Sequence, residues 1–268
     1  GPGQSDPLSA PLQLDVLAAD RYLRAPGAKS VSVVGGSMGA GAAGGASIEA
    51  RAGEIDRIAR AQLKARGAAP AFLNYHGFPA VICVSVNHEI VHGIPSDARS
   101  LKDGDIVGLD FGCVIDGWFA DSAVTVGVGV ISPDAERLIR VTRESLEKGI
   151  AVVKAGARIG DIGAAVQIHA ESAGYSVVRE FVGHGIGRAL HEEPPIPNYG
   201  KAGTGHRLKA GMTIAIEPMV NMGGSEVTTL GDGWTAVTKD RKLSGHFEHT
   251  VAVTETGVEI LTLPSGSH

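Results

Sequence analysis

The chain has only two cysteines in 268 residues, Cys83 and Cys113, too few for a disulfide framework and in keeping with a reducing compartment. It has no basic excess. With a formal net charge of -5 it lacks the electrostatic footprint of a nucleic-acid binder, and no nucleic-acid partner is expected. No run approaches the ~18 apolar residues of a membrane-spanning helix, so none is expected. The opening GPGQSDPLS carries neither a charged n-region nor an apolar h-region, so a secretory signal is not expected either. With these absences a soluble, cytoplasmic globular protein is expected, long enough to bury a sizeable core in one large domain or two small ones.

What is present centres on residues 105–126, DIVGLDFGCVIDGWFADSAVTV, which read as two strands joined by Asp116-Gly117. Asp-Gly is a strong hairpin signal because both central residues tolerate positive φ. In that register Asp110 faces Ala123, and Asp121 lies diagonally from Asp110 on the same face. Diagonal Cβ atoms lie roughly 7 Å apart, a gap that two carboxyl groups can close. Beside Leu109, Phe111 and Phe119 they repel each other unless a proton or a cation lies between them. On this hairpin alone a solvated pair of aspartates is the commoner arrangement.

Along the chain, residues 31–48 hold six glycines between Gly35 and Gly45, which would cost a helix roughly 5 kcal/mol. They match neither a dinucleotide fingerprint nor a Walker A loop, and a flexible segment is expected. A helix is predicted over about 48–66, with Ile55, Ile58, Ala59 and Leu63 inward and Gly67 as its stop. The run VICVSVNHEIVHGIP (81–95) reads as a strand. Ser132-Pro133 starts a helix to about 153, and another is predicted over about 159–173, ending at Gly174. LKDGDIVGLD (101–110) and LKAGMTIAIE (208–217) align without gaps at an offset of 107. This pairs Asp110 with Glu217 and suggests a pseudo-two-fold fold with a site at its centre. The same offset predicts a helix near 25–46, where the glycines disfavour one.

Three more candidates stand out. His184 is flanked by Gly183, Gly185 and Gly187, glycines that permit close approach of backbone or ligand. Glu217 follows Thr213 and Ala215 on one strand face, with Ile214 and Ile216 on the other, and precedes Pro218. Glu248 lies in HFEHTVAV, a strand with apolar flanks. Taken singly, His184 is more often a turn residue and Glu217 a wet strand-end charge, while Glu248 is as readily a member of a buried ion pair as a ligand. Taken with Asp110 and Asp121, four carboxylates are neutralised by two divalent cations, and oxygen ligands with one imidazole suit Mn, Fe, Co or Zn.

The motifs NYHGFP, SVNHEIVHGIPS, LDFG with DGWFADSAVT, VGHGIG, LHEEP, AIEPM, DGWT and HFEHTVAVT together resemble those of type I methionine aminopeptidases of the pita-bread metallopeptidase fold, over about 55–263. The resemblance implies an α+β, pseudo-two-fold antiparallel curved sheet with helices on its outer face. It implies an N-terminal extension, 1–47, followed by a catalytic domain, 48–268. It implies two divalent metal ions, with Asp110 as a bidentate ligand, Asp121 and Glu248 bridging, and His184 and Glu217 completing the second site. His92 and His191 are the implied outer histidines, and Glu217 the proton shuttle. The implied methionine pocket comprises Phe72, Tyr75, Phe78, Cys83, His92, Leu190 and Trp234. A monovalent cation at the backbone carbonyls of Asn87 and Glu89 with Ser244 is also implied. The expected partners are N-termini of nascent chains, with a ribosome contact left open, and the expected state is a monomer.

Position 72 in such enzymes is often a small thiol and position 190 often aromatic or Met, so Phe72 and Leu190 are expected to reshape the pocket. No long insertion separates His191 from Glu217, which favours type I over type II. The extra N-terminal residues hold no Cys or His and so cannot form a zinc finger. The Gly-rich stretch stands where the family has a charged amphipathic helix. Two other readings remain: a proline-directed exopeptidase of the same fold, and a non-catalytic relative, which would be expected to have lost ligands.

Overall fold

The computed structural model describes residues 50–263. The Gly-rich stretch, the helix expected near 25–46 and the 1–47 extension lie outside the described residues. Three α-helices are present among the described residues: α1 (Ala52–Arg66), α2 (Pro133–Ala151) and α3 (Ile159–Ser172). All three stand close to their predicted spans. α1 ends where Gly67 takes the left-handed conformation, φ 66°, and its N–H caps the carbonyls of Leu63 and Lys64. α2 opens with Ser132, whose hydroxyl accepts from the Ala135 N–H at 3.2 Å, followed by Pro133 at the first helical position. Replacing Ser132 with Ala is expected to cost about 1 kcal/mol. In a chain of this size that lowers Tm by roughly 2–4 °C, which thermal unfolding measures directly.

Nine strands form the main sheet: β1 (Ala69–Pro70), β2 (Cys83–Val86), β3 (Ile106–Ile115), β4 (Trp118–Gly127), β5 (Gly183–Gly185), β6 (Glu192–Ile196), β7 (Thr213–Ile216), β8 (Glu248–Val253) and β9 (Val258–Ile260). The order is β6-β5-β7-β8-β4-β3-β1, with β2 also on β3 and β9 on β8, and every pairing is antiparallel. The β3–β4 hairpin keeps the predicted register, Asp110 opposite Ala123 and Gly112 opposite Asp121. Its turn residues Asp116 and Gly117 both have positive φ, 52° and 77°. The run at 81–95 is not one strand. It turns at Asn87, φ 58°, leaving β2 and a separate strand Glu89–Val91.

The duplicated plan is visible in packing. Ile55 of α1 packs with Leu109, Phe111 and Val126 in one core, and Ile162 of α3 with Ile214, Ile216 and Val251 in another. In each half the helix covers one face of the sheet. Alternation along the strands therefore sends Asp110, Asp121, Glu217 and Glu248 to the opposite face. β4 and β8, one from each half, pair directly at Ala123–Glu248 and Ser122–His249, and this seam places the two sets of carboxylates side by side.

Candidate metal centre

Each side chain at the seam is held by its own strand. The Asp121 N–H donates to the Thr250 hydroxyl at 3.0 Å, and that hydroxyl donates to the Asp121 carbonyl at 2.8 Å. Ser122 donates from Oγ to the Glu248 carbonyl at 3.1 Å. These bonds tie β4 to β8 at the two acidic residues. His184 lies opposite Ala215 of β7. Its glycine neighbours serve backbone approach: a Cβ on Gly183 would stand 2.3 Å from the Ala215 carbonyl oxygen, and one on Gly185 2.5 Å from that of Glu193. Nδ1 of His184 lies 2.8 Å from the Gly185 carbonyl, so it carries the hydrogen and leaves the Nε2 lone pair free. Glu217 follows β7, where Pro218 interrupts the strand, and Asn198 Nδ2 donates to its carbonyl at 3.0 Å.

The ligand atoms of Asp121, His184 and Glu248 lie within 4.8 Å of one another, and Nε2 of His184 is 3.6 Å from Oε1 of Glu217. Oδ1 of Asp110 and Oε1 of Glu248 are buried with no hydrogen-bond partner. Burial is the largest cause that pushes the Asp121 carboxyl up to about 7. Burial first, then neighbouring carboxylates, holds Asp110, Glu217 and Glu248 well above the usual carboxylate range. Four carboxyls that resist ionising together, two of them with unsatisfied oxygens, form a site that a cation completes. Burial lowers His184 to about 4, so it is a neutral imidazole with a free lone pair, the state a metal requires. The donor set of oxygens and one nitrogen fits divalent metals of borderline or hard character.

These residues form one side of a cavity of about 310 Å³. Every predicted pocket residue lines it: Phe72, Tyr75, Phe78, Cys83, His92, Leu190 and Trp234, together with His191. Trp234 meets Phe78 edge to face at 5.2 Å, and His92 meets Phe181 at 5.3 Å. Burial pushes the Cys83 thiol up, so it lines the pocket as a thiol rather than a thiolate. Oη of Tyr75 lies 2.7 Å from Nδ1 of His191. His92 sits at φ 60°, a backbone conformation uncommon for residues other than glycine, and burial lowers it to about 4. Burial also lowers His191.

Asn87, Glu89 and Ser244 stand apart from the cavity. Ser244 N–H donates to the Asn87 carbonyl at 2.9 Å and its Oγ to Asn221 Oδ1 at 2.8 Å, while the Glu89 carboxylate takes the Arg99 guanidinium at 2.5 Å. The sequence reading missed His76, Val91, Phe181 and Val182 in the lining, and His246 behind it. No local signal marks His246, because its strand ends before the one that carries Glu248.

The family model for metallopeptidase family M24 matches residues 38–255. The chain belongs to that family. It is 56% identical over 210 residues to methionine aminopeptidase A of Synechocystis, covering 78% of this chain and 83% of that protein. A crystal structure of methionine aminopeptidase from Rickettsia prowazekii superimposes with a TM-score of 0.79 at 46% identity, covering 80% of this chain and 87% of that one. Prolidase from Pyrococcus furiosus shares the fold alone, with a TM-score of 0.63 at 24% identity over 80% of this chain and 56% of that one. The fold is thus the pita-bread α+β fold of the family, an antiparallel sheet curled around the site with its helices outside.

Proposed function

We propose that the chain is a metal-dependent aminopeptidase that removes N-terminal methionine from polypeptides with a small second residue. The observation that carries this reading is the convergence of four carboxyls, those of Asp121 and Glu248 buried and those of Asp110 and Glu217 largely so, and one neutral imidazole on the wall of an aromatic-lined cavity. In this reading Asp110, Asp121, His184, Glu217 and Glu248 hold two divalent ions, drawn from Mn, Co, Fe or Zn. Ions held by these residues would supply Lewis acidity, lowering the pKa of a water molecule toward neutrality and polarising the carbonyl of the N-terminal residue.

The rest is the work of the chain. Glu217 takes the proton of the attacking water and carries it toward the leaving amine. With Tyr75 donating to Nδ1 of His191, the Nε2–H of that ring is available to the scissile amide, and His92 donates to the developing oxyanion. Phe72, Tyr75, Phe78 and Trp234 suit an unbranched thioether, because sulfur packs favourably on ring edges. Phe72 packs where Gly112 leaves room for it: a Cβ there would stand 2.6 Å from the ring. A monovalent cation held by the Asn87 and Glu89 carbonyls with Ser244 belongs to the same proposal.

Assayed with Mn or Co, the protein is expected to release free methionine from Met-Gly and Met-Ala peptides far faster than it cleaves Xaa-Pro peptides. Equal activity on Xaa-Pro substrates would assign it to the proline-directed class. Failure of folded protein to release methionine with any divalent metal would remove the proposal.

A further inference from the structure

His246 ends the strand Ser244–His246, opposite Met219 on the neighbouring strand. Its backbone is pinned to β4 on both sides: its N–H donates to Oγ1 of Thr125 at 2.8 Å, and that hydroxyl donates to its carbonyl at 2.8 Å. The residue is 3% exposed, and its Nε2 is buried without a hydrogen-bond partner. Nε2 lies 3.8 Å from Oε2 of Glu217, while Oε1 of the same carboxylate lies 3.6 Å from Nε2 of His184. Glu217 is therefore bracketed by two imidazoles, one per oxygen. His246 does not line the cavity, and it approaches the site beside Glu217.

A separation of 3.8 Å is too long for a hydrogen bond, but a shift of under an ångström or a small carboxylate rotation closes it. A buried nitrogen without a partner favours such a closure. Carboxylates that ligate metals are held by hydrogen bonds from a surrounding shell, and losing such a partner typically costs about 10–100-fold in metal affinity or activity. We propose that His246 is the positioning residue of Glu217, donating from Nε2 to Oε2 and so turning Oε1 toward His184 and the metal. The inference rests on the reading of Glu217 as a metal ligand and proton carrier.

The test compares His246→Leu, which keeps bulk without a donor, with His246→Gln, whose amide N–H reaches about as far as the ring nitrogen. Metal-free protein is titrated with Co(II), followed by calorimetry and by visible absorption, and kcat and KM are measured on a Met-Ala peptide. The Leu variant is expected to bind one Co(II) about 10–100-fold more weakly with a changed spectrum, and to lose kcat with little change in KM. The Gln variant is expected to restore both. Wild-type affinity and spectrum in the folded Leu variant would overturn the inference, and so would equal impairment of both variants. If the Leu variant does not fold, His246→Asn, polar but one bond shorter, takes its place with the same expectation. Loss of the functional reading has a different sign: wild-type protein that binds Co(II) but releases no methionine.

Discussion

Glu217→Gln is expected to leave the fold intact and to lower kcat on Met-Ala peptides by about 10²–10⁴-fold, the usual contribution of a positioned acid–base group. The substitution preserves shape, and the hydrogen bond from Asn198 goes to the backbone carbonyl, which the change does not touch. What is lost is the ability to take up and pass on a proton. Because Glu217 is also placed as a ligand, metal content is to be measured alongside the rate. A variant that retains two ions and loses turnover isolates the proton role. Wild-type turnover would contradict it.

The second large effect concerns the metal-free protein. Asp121 is pushed up to about 7, and Asp110, Glu217 and Glu248 are all held above the usual range, burial being the largest cause in each. A carboxyl raised in the folded state binds its proton there more tightly than in the unfolded chain, where carboxyls titrate near ~4. Its stabilising contribution is fully present below ~4 and is lost as pH rises through the folded value. The cluster's contribution to the stability of metal-free protein is therefore expected to fall between pH ~4 and ~7 and beyond. Divalent metal reverses this by replacing the protons with cations. At 100 times its Kd an ion stabilises by about 2.7 kcal/mol. That raises Tm by roughly 5–11 °C for a domain of this size. Calorimetric scans at pH 5.5 and 8, with chelator and with Mn, read this out; a metal shift no larger at pH 8 than at pH 5.5 would contradict it.

How much of this was legible in the sequence depends on the range of the interaction. The β3–β4 hairpin was readable because Asp116-Gly117 fixes the turn, and the turn fixes the diagonal between Asp110 and Asp121. The helix stops at Gly67 and Gly174 were readable for the same local reason: both adopt positive φ. Asn87 was not readable as a turn. It lies in an apolar run with no glycine beside it, and asparagine reaches the left-handed region without announcing it.

The seam between β4 and β8 was beyond any local rule. Glu248 meets Ala123 across 125 residues of sequence, and no periodicity reports such a pairing. The resemblance to known peptidases supplied that link, and the pseudo-repeat supplied only the matching of Asp110 with Glu217. His246 escaped because its strand ends before Glu248, so alternation along one strand does not relate the two side chains. Its place is set by Thr125 on another strand, which is again a long-range contact.

The proposed function requires one cluster to hold the ions that the reaction uses. Anomalous X-ray scattering at the manganese edge, from crystals grown with Mn, tests it most directly. Two peaks among Asp110, Asp121, His184, Glu217 and Glu248 are expected, both lost in Asp121→Asn. Peaks elsewhere, or none in protein that releases methionine, would contradict the account.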